Sequence, residues 1–257
     1  MDDIKTRVVN YWARRAEGFK AQRLREWQSP KRAVWRSEIH PHLPRKKPLT
    51  VLDIGTGTGF FACLLAAEGH DVTGIDMTPE MIEKARDMAS LLQVTASFRA
   101  MDAEVPDFAA ESFDVLVTRN LTWTLPDLPK AYRSWYRLLK KGGVLLNFDA
   151  DYCADLAKET REHLPEIHAH RTLSETMIQE SHAITKEIGK RQQPRPSWDK
   201  KLLRAAGFSD IFIDEDAYQR IYQEKDEFYH PAAVFLIAAH KKNGVSPVYP
   251  ASHRKHG

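Results

Sequence analysis

The stretch "VLDIGTGTGF" (Val51–Phe60) sets three glycines on alternate positions directly behind an apolar run. Glycine gives up backbone order, so a chain concentrates it where φ > 0 is needed or where another group must approach the main chain. The residues around it read as a strand handing over to a helix: "LTVLDI" is short and apolar, and "FFACLLAAEG" is a helix stopped by Gly69. The same alternation continues. "DVTGID" is a strand, and "TPEMIEKARDMASLL" is a helix with Thr78 as N-cap and Pro79 in its first turn. "VTASFRA" and "SFDVLVT" are the third and fourth strands, "LPKAYRSWYRLLKKGG" is an amphipathic helix closed by glycine, and "VLLNFD" is the fifth strand.

Strands alternating with helices of this length predict an α/β, Rossmann-like sheet, mostly parallel, with helices on both faces. The rhythm breaks after residue 150. Tyr152–Arg195 is rich in charge and histidine and reads as two helices inserted outside the sheet. "SWDKKLLRAAGF" restores a helix, with Ser197 as N-cap and Gly207 as terminator. "SDIFIDEDAY" and "AVFLIAAH" are then two strands with no helix between them, so they predict a C-terminal antiparallel hairpin and a sheet of seven strands. The chain divides into an N-terminal helical cap (1–47), a ligand-binding core (48–150), a helical insert or lid (151–196), the last helix and hairpin of the core (197–240), and a basic tail expected to be disordered (241–257).

Bulk properties narrow the function. A chain of 257 residues with 42% hydrophobic content suits one domain with an elaboration. Its longest apolar runs, such as "AVFLIAA", are far short of the ~18–20 residues that cross a bilayer. The opening "MDDIKTRVVNYW" is acidic and lacks an apolar signal core, and Cys63 and Cys153 form no close-spaced pair; both features predict a cytoplasmic protein. The formal charge of +3 becomes −1 once the four cations of the tail (Lys241, Lys242, Arg254 and Lys255) are set aside. A near-neutral body argues against a nucleic-acid partner.

Spacing decides the ligand class. No lysine follows the glycines, so this is not the phosphate loop G-x-x-x-x-G-K-[ST]. The chain reads D-x-G-x-G-x-G from Asp53, where a dinucleotide fingerprint is G-x-G-x-x-G. Asp53 would repel a pyrophosphate and suits a cation or an amino group. Asp76 ends the second strand, where a carboxylate can accept bonds from both hydroxyls of a ribose. Asp102 follows the third strand, where an acid can accept from an adenine amino group. The ligand so described has an adenosine half, a cationic half and no phosphate, which is S-adenosylmethionine.

On "VLDIGTGTGF", "GIDMTPEMIEKAR", "AMDAEVP", "SFDVLVTRN" and "YRLLKKGGVLLNF", the sequence resembles the class I S-adenosylmethionine-dependent methyltransferases, in the ubiquinone/menaquinone-biosynthesis-like branch. The likeness runs closely over Leu49–Phe148. It implies that Asp53, Gly55, Thr56, Gly57 and Gly59 flank the methionine part, with Arg119 and Asn120 beside them. It further implies that Asp76 holds the ribose, that Met77 packs on the adenine, and that Asp102 with the Ala103 backbone reads the adenine amine. N-terminal helices in this branch cap the pocket with an aromatic and an arginine, which points to Tyr11 and Arg15 for the methionine carboxylate.

Other segments are open. "TRNLTWTLPD" lies where the family faces the transferred methyl, but it lacks the prolines of enzymes that methylate nucleobase amines. Trp12, Trp123, His182, Arg195 and Trp198 are the expected acceptor contacts, and Asp149, Asp151 and His182 are candidate bases among which nothing selects. No catalytic residue is assigned. His163, His168 and His170 read as a solvated face rather than a metal site, because no further ligands accompany them. Tyr136 and Lys140 have the spacing of a dehydrogenase pair but sit on an amphipathic helix. The expectation is a methyltransferase for a small-molecule acceptor. The alternatives are non-methylating chemistry on the same cofactor, such as cyclisation or cleavage of its aminobutyl chain, and a nicotinamide-dependent dehydrogenase.

Overall fold

The computed structural model describes residues 3–155, 173–229 and 231–242. Seven strands form one sheet in the order β3-β2-β1-β4-β5-β7-β6: β1 (Thr50–Ile54), β2 (Asp71–Asp76), β3 (Ser97–Ala100), β4 (Phe113–Arg119), β5 (Leu139–Asp149), β6 (Ser209–Asp214) and β7 (Phe235–His240). The first five are parallel, and β7 runs antiparallel to both β5 and β6. The order of the strands reverses between the parallel β1 and β4, so the tips of these strands open the crevice where α/β sheets bind ligands.

The strand period explains the two layers. Val51, Val115, Val117, Val144, Leu146, Leu236 and Ala238 face one side. There they meet α1 (Asp3–Gln28), α2 (Lys31–Ile39), α3 (Phe60–Ala66) and α4 (Pro79–Leu91), through Trp27, Trp35, Phe61 and Ile82. Leu52, Leu116, Leu145 and Ile237 face the other side, against Tyr132 and Trp135 of α5 (Leu128–Leu138) and Leu203 of α8 (Ser197–Ala206). Central strands buried on both faces are apolar without alternation, as the sequence of β4 shows. The insert contributes α6 (Tyr152–Asp155) and α7 (Glu175–Gly189), and Ile184 and Ile188 of α7 pack on Ile4 and Tyr11 of α1.

Four local expectations are corrected. α5 stops at Leu138 rather than at the glycine pair, because Leu139 pairs with Phe113 and opens β5. Gly142 and Gly143 instead bond across to Lys241, and a Cβ on Gly143 would lie 2.9 Å from the Asp114 carbonyl. Pro196 takes the cap position of α8, and Ser197 Oγ donates back to the Pro194 carbonyl. Thr78 precedes α4 as expected, yet its hydroxyl makes no cap bond; its N–H donates to Asp76 at 2.9 Å. A short helix, α9 (Ala217–Ile221), interrupts the hairpin between β6 and β7. His163, His168, His170 and the tail beyond Lys242 lie outside the described residues.

Candidate active site

The glycine turn is built around two carboxylates. Asp53, at the end of β1 and 2% exposed, accepts from Thr56 Oγ1 at 2.6 Å and from the Ala62 N–H at 2.9 Å. It thereby ties the turn to the first turn of α3, where an acid also meets the positive end of the helix. Asp76 accepts from the Gly57 N–H at 3.0 Å and from the Thr78 N–H, joining the turn to the tip of β2. Gly57 has φ +52°, and a Cβ there would meet the Phe19 ring of α1 at 3.1 Å, so this face of the turn stays bare. Burial pushes the Asp53 carboxyl up to about 7, with the nearby Asp76 charge adding to it and the bonds from Thr56 and Ala62 opposing it.

These groups border one cavity of about 210 Å³. One water needs only roughly 10–15 Å³, so the space suits an organic ligand. Twelve of the thirteen residues expected at the cofactor line it: Tyr11, Arg15, Asp53, Gly55, Thr56, Gly57, Asp76, Met77, Asp102, Ala103, Arg119 and Asn120. Gly59 does not. It is the left-handed cap of α3, packed on Ala85 and Phe98, so it shapes the turn from behind.

Along the cavity, α1 crosses the strand tips in order. Lys5 pairs with Asp102 and Glu104 beyond β3, Phe19 covers Gly57 beyond β1, and Glu26 grips Arg119 at the end of β4. Arg15 donates to Tyr11 Oη at 3.0 Å and lies 5.3 Å from the Trp12 ring centre. The carbonyl of Ala103 is taken by the Trp135 indole, so its N–H is the group it can offer. Asn120 adopts φ +55° at the end of β4, a conformation costly for most residues that asparagine tolerates. Its carbonyl accepts from the Trp123 indole, and Leu121 closes over Gly55.

Trp12 and Trp123 line the cavity as expected, but His182, Arg195 and Trp198 do not. On α7 it is Ser181 and Thr185, not His182, that line the cavity. Trp198 packs with the opposite layer of the sheet, alongside Leu203. Arg195 is fully buried: it forks onto Asp199 at 2.7 and 2.9 Å and reaches Thr122 Oγ1 at 2.5 Å. Asp149, also fully buried, accepts from Thr122, from the Trp123 N–H and from the Ala150 N–H. It thus belongs to the wall behind Trp123 and not to the cavity. Asp151 is likewise occupied, by the Arg195 and Ala154 N–H groups.

The sequence reading missed Lys5, Arg23, Tyr152, Ser181, Thr185, Tyr222, Phe228 and Tyr229, all of which line the cavity. A signal existed for α1. Lys5, Val8, Trp12, Arg15, Phe19 and Gln22 recur every three or four residues, the spacing of one helical face. The loop residues Tyr222, Phe228 and Tyr229 carry no such periodicity.

The comparisons follow this geometry. A family model described as a methyltransferase domain matches residues 45–226. The chain belongs to this family. A ubiquinone biosynthesis O-methyltransferase of Coxiella burnetii is 33% identical over 95 residues, covering 37% of this chain and 41% of that protein. An arsenite methyltransferase of Halobacterium salinarum is 39% identical over 100 residues, covering 37% and 25%. The chain therefore spans less than half the length of these curated relatives. The structure of phosphoethanolamine N-methyltransferase 2 of Haemonchus contortus, in complex with S-adenosyl-L-methionine, superposes with a TM-score of 0.56 at 20% identity over 81% of this chain and 53% of that one. That likeness carries the fold of the methyltransferase domain.

Proposed function

We propose that this chain is an S-adenosylmethionine-dependent methyltransferase acting on a small-molecule acceptor. The observation that carries the reading is that Asp76 and Asp102, from successive strand tips, line one cavity floored by a bare glycine turn. The residues present fit the cofactor. Asp76 is the acceptor for the ribose hydroxyls, Met77 lies beside it for the adenine, and Asp102 with the Ala103 N–H meets the adenine edge. Arg15, with Tyr11, has no carboxylate partner among the described residues and is available to the methionine carboxylate. Thr56, the main chain of Gly55 and Gly57, and Asn120 surround the remainder, and Arg119 stands where the cofactor's space meets that of the acceptor. S-adenosylmethionine supplies a methyl group activated on a sulfonium.

Such a transfer needs alignment and exclusion of water more than acid–base help. Trp12 and Trp123 are walls on the acceptor side, and Ser181 and Thr185 bring α7 of the insert over the cavity as a lid. Among the described residues that line it there is no histidine. The dehydrogenase alternative loses its pair: Lys140 Nζ bonds Thr50 and Asp114, and Tyr136 packs on Phe208. No described helix is long and apolar enough to cross a membrane. Residence in the cytoplasm is part of this proposal and is supported by two cysteines that are not bridged.

Calorimetry with S-adenosylmethionine, S-adenosylhomocysteine and NADH tests the reading. The first two should bind with low-micromolar affinity and NADH should not. Tighter binding of NADH, or methylthioadenosine as the product of turnover, would overturn it.

Asp53 adds a pH signature. With its carboxyl pushed up to about 7 by burial, Asp53 gives up its proton within the range around neutral pH rather than near the ordinary 3.8. A cationic group bound nearby favours the carboxylate, so S-adenosylmethionine should bind several-fold tighter at pH 8 than at pH 6. S-adenosylhomocysteine, with a neutral sulfur, should change less, and Asp53→Asn should flatten the difference. Because the folded-state value lies above the ordinary 3.8, this group also favours the unliganded fold below about pH 4 and loses that contribution as pH rises through 7. Equal pH responses of the two ligands would refute the assignment.

A further inference from the structure

Arg23 and Arg119 line the β4 end of the cavity and share one carboxylate, that of Glu26. Glu26 is fully buried and also accepts from the Trp35 indole at 2.7 Å, so no part of it is left for a third cation. Arg119 lies 4.0 Å from the Trp35 ring centre, its side chain is 9% exposed, and its Nε is buried with no hydrogen-bond partner among the described residues. Among the described residues these two guanidinium groups have one carboxylate between them, which leaves an excess of positive charge in the cavity wall that an anion would complete. Burial, and after it the neighbouring Arg119 charge, lower Arg23 below its ordinary value, as expected for a cation short of counter-charge. Tyr222 sits beside Arg119 and also lines the cavity, with Phe60, Phe228 and Tyr229 supplying an aromatic surround.

This cluster is separate from Arg15. Eight residues of helix place Arg15 and Arg23 about 12 Å apart along the axis of α1. The tip of Arg15 rests at Tyr11 and Trp12, whereas that of Arg23 lies between Phe19 and Glu26. Among the described residues, the acids that line the cavity, Asp53, Asp76 and Asp102, belong to the tips of β1, β2 and β3, where Thr56, backbone N–H groups and Lys5 engage them.

We propose that Arg23, Arg119 and Tyr222 form an oxyanion subsite that takes a carboxylate or phosphate group carried by the methyl acceptor. The acceptor class is then an aromatic or apolar molecule with an anionic group at one end. Its use for an acceptor rests on the methyl-transfer reading above, whereas its affinity for an oxyanion does not.

The test is calorimetric titration of benzoate, phenyl phosphate and, as a neutral control, benzyl alcohol. Each is added to the protein alone and to the protein saturated with S-adenosylhomocysteine. Benzoate or phenyl phosphate should bind at least tenfold tighter than benzyl alcohol, and the preference between them separates carboxylate from phosphate. Arg23→Gln should weaken the better probe at least tenfold while leaving S-adenosylhomocysteine within threefold, and Arg15→Gln should do the reverse. Tyr222→Phe, which removes a single oxygen, should weaken the probe about threefold and keeps the test valid if Arg23→Gln loosens α1. Probe binding indifferent to both variants would overturn the subsite. So would a loss of S-adenosylhomocysteine affinity in Arg23→Gln equal to that in Arg15→Gln, which would assign Arg23 to the methionine carboxylate. If S-adenosylhomocysteine fails to bind the native protein while the anionic probes bind through Arg23, the methyl-transfer reading falls and the oxyanion subsite stands.

Discussion

Asp76→Ala should weaken S-adenosylhomocysteine binding by roughly 30- to 1000-fold, about 2–4 kcal/mol, as expected when charge-assisted hydrogen bonds to a ligand are lost. The carboxylate has two jobs. It faces the cavity, and it accepts the Gly57 and Thr78 N–H groups that set the glycine turn against the tip of β2. Alanine removes the ligand contact and leaves two donors without their acceptor, so the turn loosens as well. Asp76→Asn keeps one oxygen and should retain part of the affinity. Thermal unfolding of each variant separates lost contact from lost fold. Unchanged affinity in a folded Asp76→Ala protein would remove Asp76 from the ribose position.

The second large effect is structural. Arg195→Leu should destabilise the protein by about 3–5 kcal/mol, because Asp149 and Asp199 then remain buried without their counter-charge. For a chain of this size that amounts to a fall of roughly 10 °C in Tm. Burial already holds the Asp149 carboxyl above its ordinary value, with Arg195 opposing the shift. Without the arginine, protonation relieves the repulsion, so the deficit should be largest at alkaline pH and shrink towards pH 5. Adding Asp199→Asn should restore part of the stability. A Tm shift of less than 2 °C at pH 8 would show that the network contributes little.

Arg195 also illustrates what the sequence could and could not convey. From the sequence, Arg195 is expected to be an acceptor contact. Its partners are Thr122 after β4, Asp149 at the end of β5 and Asp199 in α8, an encounter set by tertiary packing and invisible in local spacing. The glycine turn was legible because its requirements are local: a positive φ at Gly55, Gly57 and Gly59, and an acid at each strand tip. The sheet was legible for the same reason, since alternating runs of apolar strand and amphipathic helix leave few topologies. The end of α5 was not, because the helical pattern of "YRLLKKGG" continues past the point where Leu139 finds a better partner in Phe113. Arg23 and Glu26 sat unremarked in a charged helix; only the cavity shows which of its many charges face inward.

That helix has one more consequence. Besides the apolar contacts of Ile4, Tyr11 and Trp27, ion pairs fasten α1 along its length: Lys5 to Asp102 and Glu104, Arg7 to Glu180 of α7, Lys20 to Asp87 of α4, and Glu26 to Arg119. The outer pairs are partly exposed and weaken as added salt screens them, whereas the Glu26–Arg119 pair is buried and does not. Added salt should therefore loosen the Arg7–Glu180 and Lys20–Asp87 contacts first and leave the Glu26 end of the helix in place.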